Sequence, residues 1–586
     1  MLILVAQGTI SNRGAIMRRQ ILFTHILLSS ALILNACGAE NSQTADLQAA
    51  AKVKAAAESA SSDAADLASS DVTAPTEMRK VEPVPTPGIT AQAVPGQTEN
   101  FTASIYPAQP QNNEKYAHAD DNPVKRVAET PVSTFSIDVD TGSYANIRRF
   151  LMNGQKPPAD AVRVEEMLNY FSYDYKPPRD SSIPFRADAD VMPTPWNPDT
   201  KLLRIAIKGY QPPLDHRPAA NLVFLIDVSG SMQDPDKLPL LKAGMKMLVD
   251  RLNAEDKVTI VTYAGNAGLV LPPTAGDEKE AIHAAIDGLE AGGSTAGGEG
   301  IALAYAKARA AKIDGGINRI LLATDGDFNV GVTDIDALKS MIEENRKSGI
   351  ALSTLGFGEG NYNDALMEQI ADVGNGNYGY IDSLNEAKRQ LVDGLQANLM
   401  TIAKDVKIQI EFNPAIVAEY RLIGYENRAL AREDFNNDKK DAGEIGAGHT
   451  VTALYEISLV GSKGQTVDPL RYQDDGNAST GVRTDEFALL RLRYKEPEGD
   501  VSKLIETPLR TVWLDGDREP DADDNFAAAV AAFGQYLRGG DRLGQYDLGQ
   551  IASLARAGRG EDARGERAEF INLVELTDAL APSQNK

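Results

Sequence analysis

Residues 222–232 read LVFLIDVSGSM. Five apolar residues, Leu222 to Ile226, run straight into Asp227. Ser229 and Ser231 then alternate with Val228 and Gly230 before a helical pattern begins. An unbroken apolar run bounded by a turn fits a strand at the centre of a parallel sheet, covered on both faces. In such sheets ligands bind outside the carboxyl ends of the strands, at the crevice where strand order reverses. This reading puts Asp227, Ser229 and Ser231 at that crevice. A carboxylate and two hydroxyls are hard oxygen donors, which suit Mg²⁺, Mn²⁺ or Ca²⁺ better than zinc or copper.

Two further stretches give that loop company. Residues 292–300 read GGSTAGGEG, a glycine-rich loop carrying Thr295, and a helical run over 301–312 follows. Residues 319–329 read RILLATDGDFN, a second apolar strand ending on Asp325. Both fall at strand tips or loops of an alternating pattern, so all five oxygen-bearing side chains can converge. The set Asp227, Ser229, Ser231, Thr295 and Asp325 resembles the metal-ion-dependent adhesion site of von Willebrand factor A domains, with no ligand missing. The resemblance implies that the serines and the threonine hold a divalent cation directly or through water, and that the aspartates hold it mostly through an outer shell. It also implies one open position for an acidic side chain of a partner. Charge agrees, because two carboxylates balance a divalent ion without overcompensating it. Mg²⁺ is the expected cation, with Mn²⁺ or Ca²⁺ as alternatives. The competing reading is a strand-end serine cluster that caps the next helix. Asp327 and Asn329, just beyond, either bias the choice of partner or belong to a solvated loop.

The alternation extends over 221–402, read as the A domain. Helices are expected over 237–252, 278–289, 335–347, 364–373 and 384–400, and strands over 258–263, 268–271, 320–324, 351–357 and 378–381. Short connections and right-handed crossovers make such a series an α/β fold with a doubly wound, mostly parallel sheet, von Willebrand A or Rossmann-like. Gly374, Gly376 and Gly379 spell G-x-G-x-x-G, yet they follow a helix and precede a strand. A dinucleotide fingerprint needs the reverse order, so they read as a helix cap and turn.

Among 586 residues, 83 acidic side chains outnumber 59 basic ones and give a net charge of −24. That balance argues against nucleic acid and against general attraction to anionic lipid. The single cysteine, Cys37, ends a run that begins at Met17: MRRQILFTHILLSSALILNACG. Arg18 and Arg19 precede an apolar stretch too short for a stable membrane span, the pattern of a secretory signal over 1–36. Leu34 to Cys37 resembles a bacterial lipobox, which implies lipidation of Cys37 and firm anchoring, each buried methylene contributing about 0.8 kcal/mol. Gly38 after the cysteine, by resemblance to lipoprotein sorting, implies the outer membrane of a diderm bacterium, on either its periplasmic or its surface face. With one cysteine no disulfide can staple the fold. Residues 37–130 are rich in Ala, Ser and Pro and read as a disordered tether.

The A domain is flanked on both sides. Residues 131–220 give a strand and helix over 133–150, a helix over 160–171 and a strand over 202–207. This block resembles the segment that precedes the A domain in a group of bacterial A-domain lipoproteins. Asp140 to Ser143 match the D-T-G-S element of aspartic proteases, but the chain holds no second such element, so a strand-ending turn is the simpler reading. Residues 403–525 alternate as strands in VKIQIEF, VTALYEISLV and FALLRLRY, a β-rich domain that forms a sandwich or a sheet against the A domain. Acidic loops over 434–444 and 515–525 read as solvated, since the first lacks the central glycine and final glutamate of a calcium loop. Residues 526–586 are helical, with Phe526, Val530, Phe533 and Leu537 on one face.

These features describe a membrane-anchored, divalent-metal-dependent protein-binding module that recognises an Asp or Glu carboxylate on a protein partner. No nucleic acid and no small-molecule substrate are expected. An envelope scaffold or assembly factor that does not use the metal is the alternative. A hydrolase ranks third. The five histidines are scattered, and no H-E-x-x-H, G-x-S-x-G or P-loop occurs, so no enzymatic activity is expected.

Overall fold

A computed structural model describes residues 113–213, 217–264, 266–293, 297–326, 335–468, 470, 485–515 and 518–580. All belong to one compact unit. Cys37, residues 37–112 of the expected tether, Thr295, Asp327 and Asn329 lie outside the described residues. Residues 113–130, read from sequence as the rest of that tether, instead pack on the fold, with Glu114 held by Arg149 at 2.8 Å, Lys125 opposite Tyr420 and Val127 buried. Four strands come first: β1 (Lys125–Arg126), β2 (Val132–Ser136), β3 (Phe185–Thr194) and β4 (Asn197–Gly209). The central sheet follows, with β5 (Ala220–Asp227), β6 (Lys257–Ala264), β7 (Asn266–Ala275), β8 (Ile317–Thr324), β9 (Ala351–Phe357) and β10 (Tyr378–Ile381). The last six are β11 (Thr401–Phe412), β12 (Val417–Ile423), β13 (Ile445–Gly446), β14 (Thr450–Leu459), β15 (Glu486–Lys495) and β16 (Lys503–Arg510).

The central sheet has the order β10-β9-β8-β5-β6-β7 and is parallel except for β7, which pairs antiparallel with β6. Along β5, Leu222, Phe224 and Ile226 face one core while Val223 and Leu225 face another. Both faces are covered, which is why the strand reads as an unbroken apolar run. Helices Leu238–Val249 and Lys279–Asp287 pack on the first face, with Leu391, Leu395 and Leu399. Helices Gly297–Ala310, Ile335–Arg346 and Asp364–Val373 pack on the second. The sheet is thus doubly wound, as the alternation implied. The edge strand runs longer than 268–271, and the helix expected over 384–400 is interrupted. A π-helical turn, Arg389–Asp393, splits it, and the Gly394 N–H reaches back 2.8 Å to the Arg389 carbonyl.

The other strands form two antiparallel sheets. One has the order β1-β12-β14-β4-β3; the other runs β13-β11-β15-β16, with β2 pairing β11. Leu203, Ile205 and Ile207 of β4 meet Ile408, Ile410 and Leu490 in the core between them. The sequence separates 131–220 from 403–525, yet here their strands share sheets: Leu203 lies opposite Tyr455 and Phe135 opposite Ile408. Such pairing is made by main-chain hydrogen bonds across the inserted A domain, and an apolar pattern read along the chain does not record it. Strand β3 carries Arg186, Asp188 and Asp190 at the sheet's edge, where charge is tolerated, so it gives little strand signal. The A domain enters and leaves side by side: Ile402, at its end, packs on Gly209, the last residue of β4 before it.

A helical layer covers the outer face of the first of these sheets. Leu202, Ile423 and Leu454 alternate with the sandwich-facing residues and pack under helix Ala522–Leu537. That helix is buried on every side from Phe526 to Phe533, not on one face alone. It is enclosed by helices Val164–Tyr170, Leu548–Ala557 and Glu566–Leu580 as well as by the sheet. Its alanines and Gly534 allow the close approach; a Cβ at Gly534 would sit 3.0 Å from Val164. In the acidic 515–525 segment, Asp521 and Asp524 form a capping box that starts this helix. Among the described residues, no helix is long and apolar enough to cross a membrane.

Candidate functional site

Strands β5 and β8 are hydrogen-bonded neighbours, with Ile226 level with Ala323. Asp227 and Asp325 therefore emerge together at the carboxyl end of the sheet, both buried. One Asp227 oxygen accepts the Ser229 N–H and the other accepts the Thr324 hydroxyl, each at 2.9 Å. The first of these bonds curls the loop back on itself, and Ser229 Oγ comes within 3.0 Å of Ser231 Oγ. Two main-chain bonds lash this loop to the glycine-rich one: Gly230 N–H to the Gly293 carbonyl (3.2 Å) and Gly292 N–H to the Val228 carbonyl (2.7 Å). The fold thus brings Asp227, Ser229, Ser231 and Asp325 to one end of the sheet. Thr295 continues from Gly293 outside the described residues.

Burial pushes the Asp227 carboxyl up to about 6; hydrogen bonds from Ser229 oppose the shift and the Asp325 charge adds to it. Asp325 meets a buried ammonium, Lys237 Nζ, at 3.0 Å. The Lys237 stem lies against Gly358, whose φ of +72° and lack of a side chain allow that approach; any Cβ there would collide with the stem. The set is therefore two carboxylates and two hydroxyls, with one carboxylate held by a lysine. Thr324 and Lys237 escaped the sequence reading. Thr324 looks like an ordinary strand residue, and Lys237 follows Asp234, Pro235 and Asp236 as a solvated turn lysine would. Only the fold sets them against the two aspartates.

The other motifs have structural partners. Asp140 of the D-T-G-S element accepts the Tyr378 N–H (2.7 Å) and lies 3.2 Å from Arg428, so it ties the N-terminal flank to β10. Gly376 of the G-x-G-x-x-G packs under the Leu352 main chain, after Asn375 at φ 50°. In the 434–444 loop, Asp438 pairs with Arg493 and Asp441 with Arg346.

A doubly wound sheet with an Asp-x-Ser-x-Ser loop on its central strand defines a von Willebrand factor type A domain, and residues 221–413 match that family. Residues 110–204 match the family described as von Willebrand factor, and 397–580 the family described as the C-terminal part of the uncharacterized protein YfbK. The chain belongs to the YfbK family. It is 51% identical over 472 residues to the uncharacterized protein YfbK of Escherichia coli (strain K12), covering 80% of this chain and 81% of that one. It is 25% identical over 365 residues to the uncharacterized protein sll0103 of Synechocystis sp., covering 60% and 82%. Among solved structures, a von Willebrand factor type A protein from Catenulispora acidiphila aligns over 68% of this chain and 91% of its own, with 16% identity and a TM-score of 0.38. The domain class is that of a protein-interaction module, and no catalytic function is indicated.

Proposed function

We propose that the chain is a divalent-metal-dependent protein-binding module in which Asp227, Ser229, Ser231, Thr295 and Asp325 hold a cation, Mg²⁺ first and Mn²⁺ or Ca²⁺ next. Bound there, the ion supplies a Lewis-acidic contact for an Asp or Glu carboxylate of a protein partner. One observation carries the reading: two hydroxyls 3.0 Å apart stand beside two buried carboxylates at adjacent strand ends. The sheet itself needs no such cluster. All the donors are hard oxygens, the chemistry that Mg²⁺ and Ca²⁺ take. In this proposal Cys37 carries the lipid that holds the module at the outer membrane, and the segment from there to the packed residues that begin at 113 is its tether.

Calorimetric titration of Mg²⁺, Mn²⁺ and Ca²⁺ into the full chain, beside Asp227→Ala and Thr295→Ala, tests the site. Saturable binding lost in both variants supports it; binding that survives in both refutes it. Anchoring is tested separately, by whether Cys37→Ser releases the protein from the membrane fraction.

A second reading, a scaffold that does not use a metal, draws on Lys237. Its ammonium already neutralises part of the charge on Asp325, so the site can stand without an ion. Partner capture that is equal with and without chelator would favour it.

A further inference from the structure

At the pole of the A domain opposite Asp227 lies a cavity of about 860 Å³. Arg217 before β5, Asn377 at the start of β10 and Arg251 after helix Leu238–Val249 line it, all at the amino ends of the parallel strands. The floor comes from the interrupted helix, through Arg389, Gln390 and Gln396, and the far wall from Lys208 of β4 and from His449. Such a volume lies within the range of small-ligand pockets.

Three features of the lining point to a ligand. Gln396 is 5% exposed, and neither its amide oxygen nor its amide nitrogen has a hydrogen-bond partner; both atoms are buried as the side chain stands, so they meet a ligand once it turns toward the cavity. A buried amide left so is costly, about 1–3 kcal/mol per group, unless something else satisfies it. The second feature is charge. In a chain of net charge −24, the described lining has Lys208, Arg217, Arg251, Arg389 and Arg564 against one carboxylate, Asp393. Arg217 is engaged by Asp256, Arg389 by Glu386 and Arg564, at 3.7 Å, by Glu566. Lys208 donates only to the Gly448 carbonyl and the Thr450 hydroxyl, and Arg251 has no ion-pair partner among the described residues. Burial, with Lys208, Arg319 and Arg389 adding to it, holds His449 down at about 3, so it faces the cavity as a neutral ring. The third is the π-helical turn itself, a rare form frequently found at functional sites; four of its five residues line the cavity.

We propose that this cavity is a second binding site, for a small organic anion that carries hydroxyl or amide groups beside its carboxylate or phosphate. The cations receive the charge, while Gln396 and the neighbouring carboxamides, which both donate and accept, receive the neutral polar groups. The site stands apart from the strand-end oxygens and owes nothing to a metal.

The test is calorimetry on the full chain in chelator, with galacturonate as the carboxylate probe, glucose 6-phosphate as the phosphate probe and galactose as the uncharged control. The expected result is millimolar or tighter binding of at least one anion, about tenfold or more over galactose. Which anion binds identifies the acid. Gln396→Leu and the surface variant Arg251→Ala should each weaken it by about tenfold, and Asp227→Ala should leave it unchanged. The proposal is overturned if neither anion binds at millimolar concentration, if galactose binds as well as they do, or if both cavity variants bind like the parent.

Discussion

The carboxyl ends of β5 and β8 and the buried seam between the A domain and its flanks both gather carboxylates, and they treat them differently. At the strand ends, Asp227 is met by a main-chain N–H and a hydroxyl, and Asp325 by one lysine. In the seam the partners are guanidinium groups. Arg148 of helix Gly142–Met152 holds Asp382 (2.6 Å), Glu386 (2.9 Å) and Glu569 (2.9 Å), so three regions meet on one side chain. Arg163 holds Glu166 and Asp364, and Arg428 reaches Asp138, Asp140, Glu368 and Asp372. Burial alone would raise Glu386, but Arg389 and Arg148 outweigh it and hold the carboxyl at about 2. Neutral donors steady Asp227 without cancelling its charge, and the Lys237 ammonium offsets part of the charge on Asp325; in the seam guanidinium groups cancel the charge and fix the geometry. The first arrangement suits binding, the second assembly.

The contrast can be broken first at the seam. Arg163→Met leaves Glu166 and Asp364 buried without their cation, and should cost about 3–5 kcal/mol in urea unfolding. A loss under about 1 kcal/mol would mean that the seam does not hold the flanks to the A domain.

The pH dependence of stability comes next. Burial pushes Glu165 up to about 8, with Glu426 and Asp138 adding to it. Burial likewise raises Glu166 to about 7 against the pull of Arg163. The folded chain therefore keeps protons that the unfolded chain, titrating near 4.5, has released. Stability should fall as pH rises from about 4.5 through about 8. Glu165→Gln should flatten that fall by roughly 2 kcal/mol, read from urea midpoints at about pH 6 and about pH 9. A slope that is the same in the variant would remove Glu165 from the account.

At the strand ends the effects should be on binding. Lys237→Met keeps the stem and removes the charge facing Asp325, so Mg²⁺ should bind about tenfold tighter, about 1.4 kcal/mol. Unchanged affinity in calorimetry would show that the lysine does not compete with the cation. Ser231→Ala should shift the unfolding free energy by no more than about 0.5 kcal/mol while weakening cation binding. A large loss of stability there would make the two regions alike.

The legible parts of the molecule were the local ones. Strand β5, its loop serines and the alternating helices are written in consecutive residues, and the periods of 2 and 3.6 expose them. Asp325 followed from a second apolar run of the same kind. What the sequence hid was made of distant pairs. Arg148 and Glu569 are 421 positions apart, and nothing in either neighbourhood marks them as partners. Lys237 is one lysine in a polar turn. Strands β12 and β16 are framed by polar loops and escaped notice, as did the π-helical turn, whose residues scan as ordinary helix.

The insertion of the A domain between β4 and β11 has a consequence for the order of events during synthesis. Strands β1, β2 and β4 leave the ribosome before their partners β12, β11 and β14 exist, since these follow only after the whole A domain. If the guest folds as it emerges, it draws its own two ends together, as Gly209 beside Ile402 records. The long loop that the host must close is thereby shortened to a few residues, which removes most of its entropic cost. Closure of the host then reports on the guest: a finished sandwich marks a chain whose binding domain has already folded.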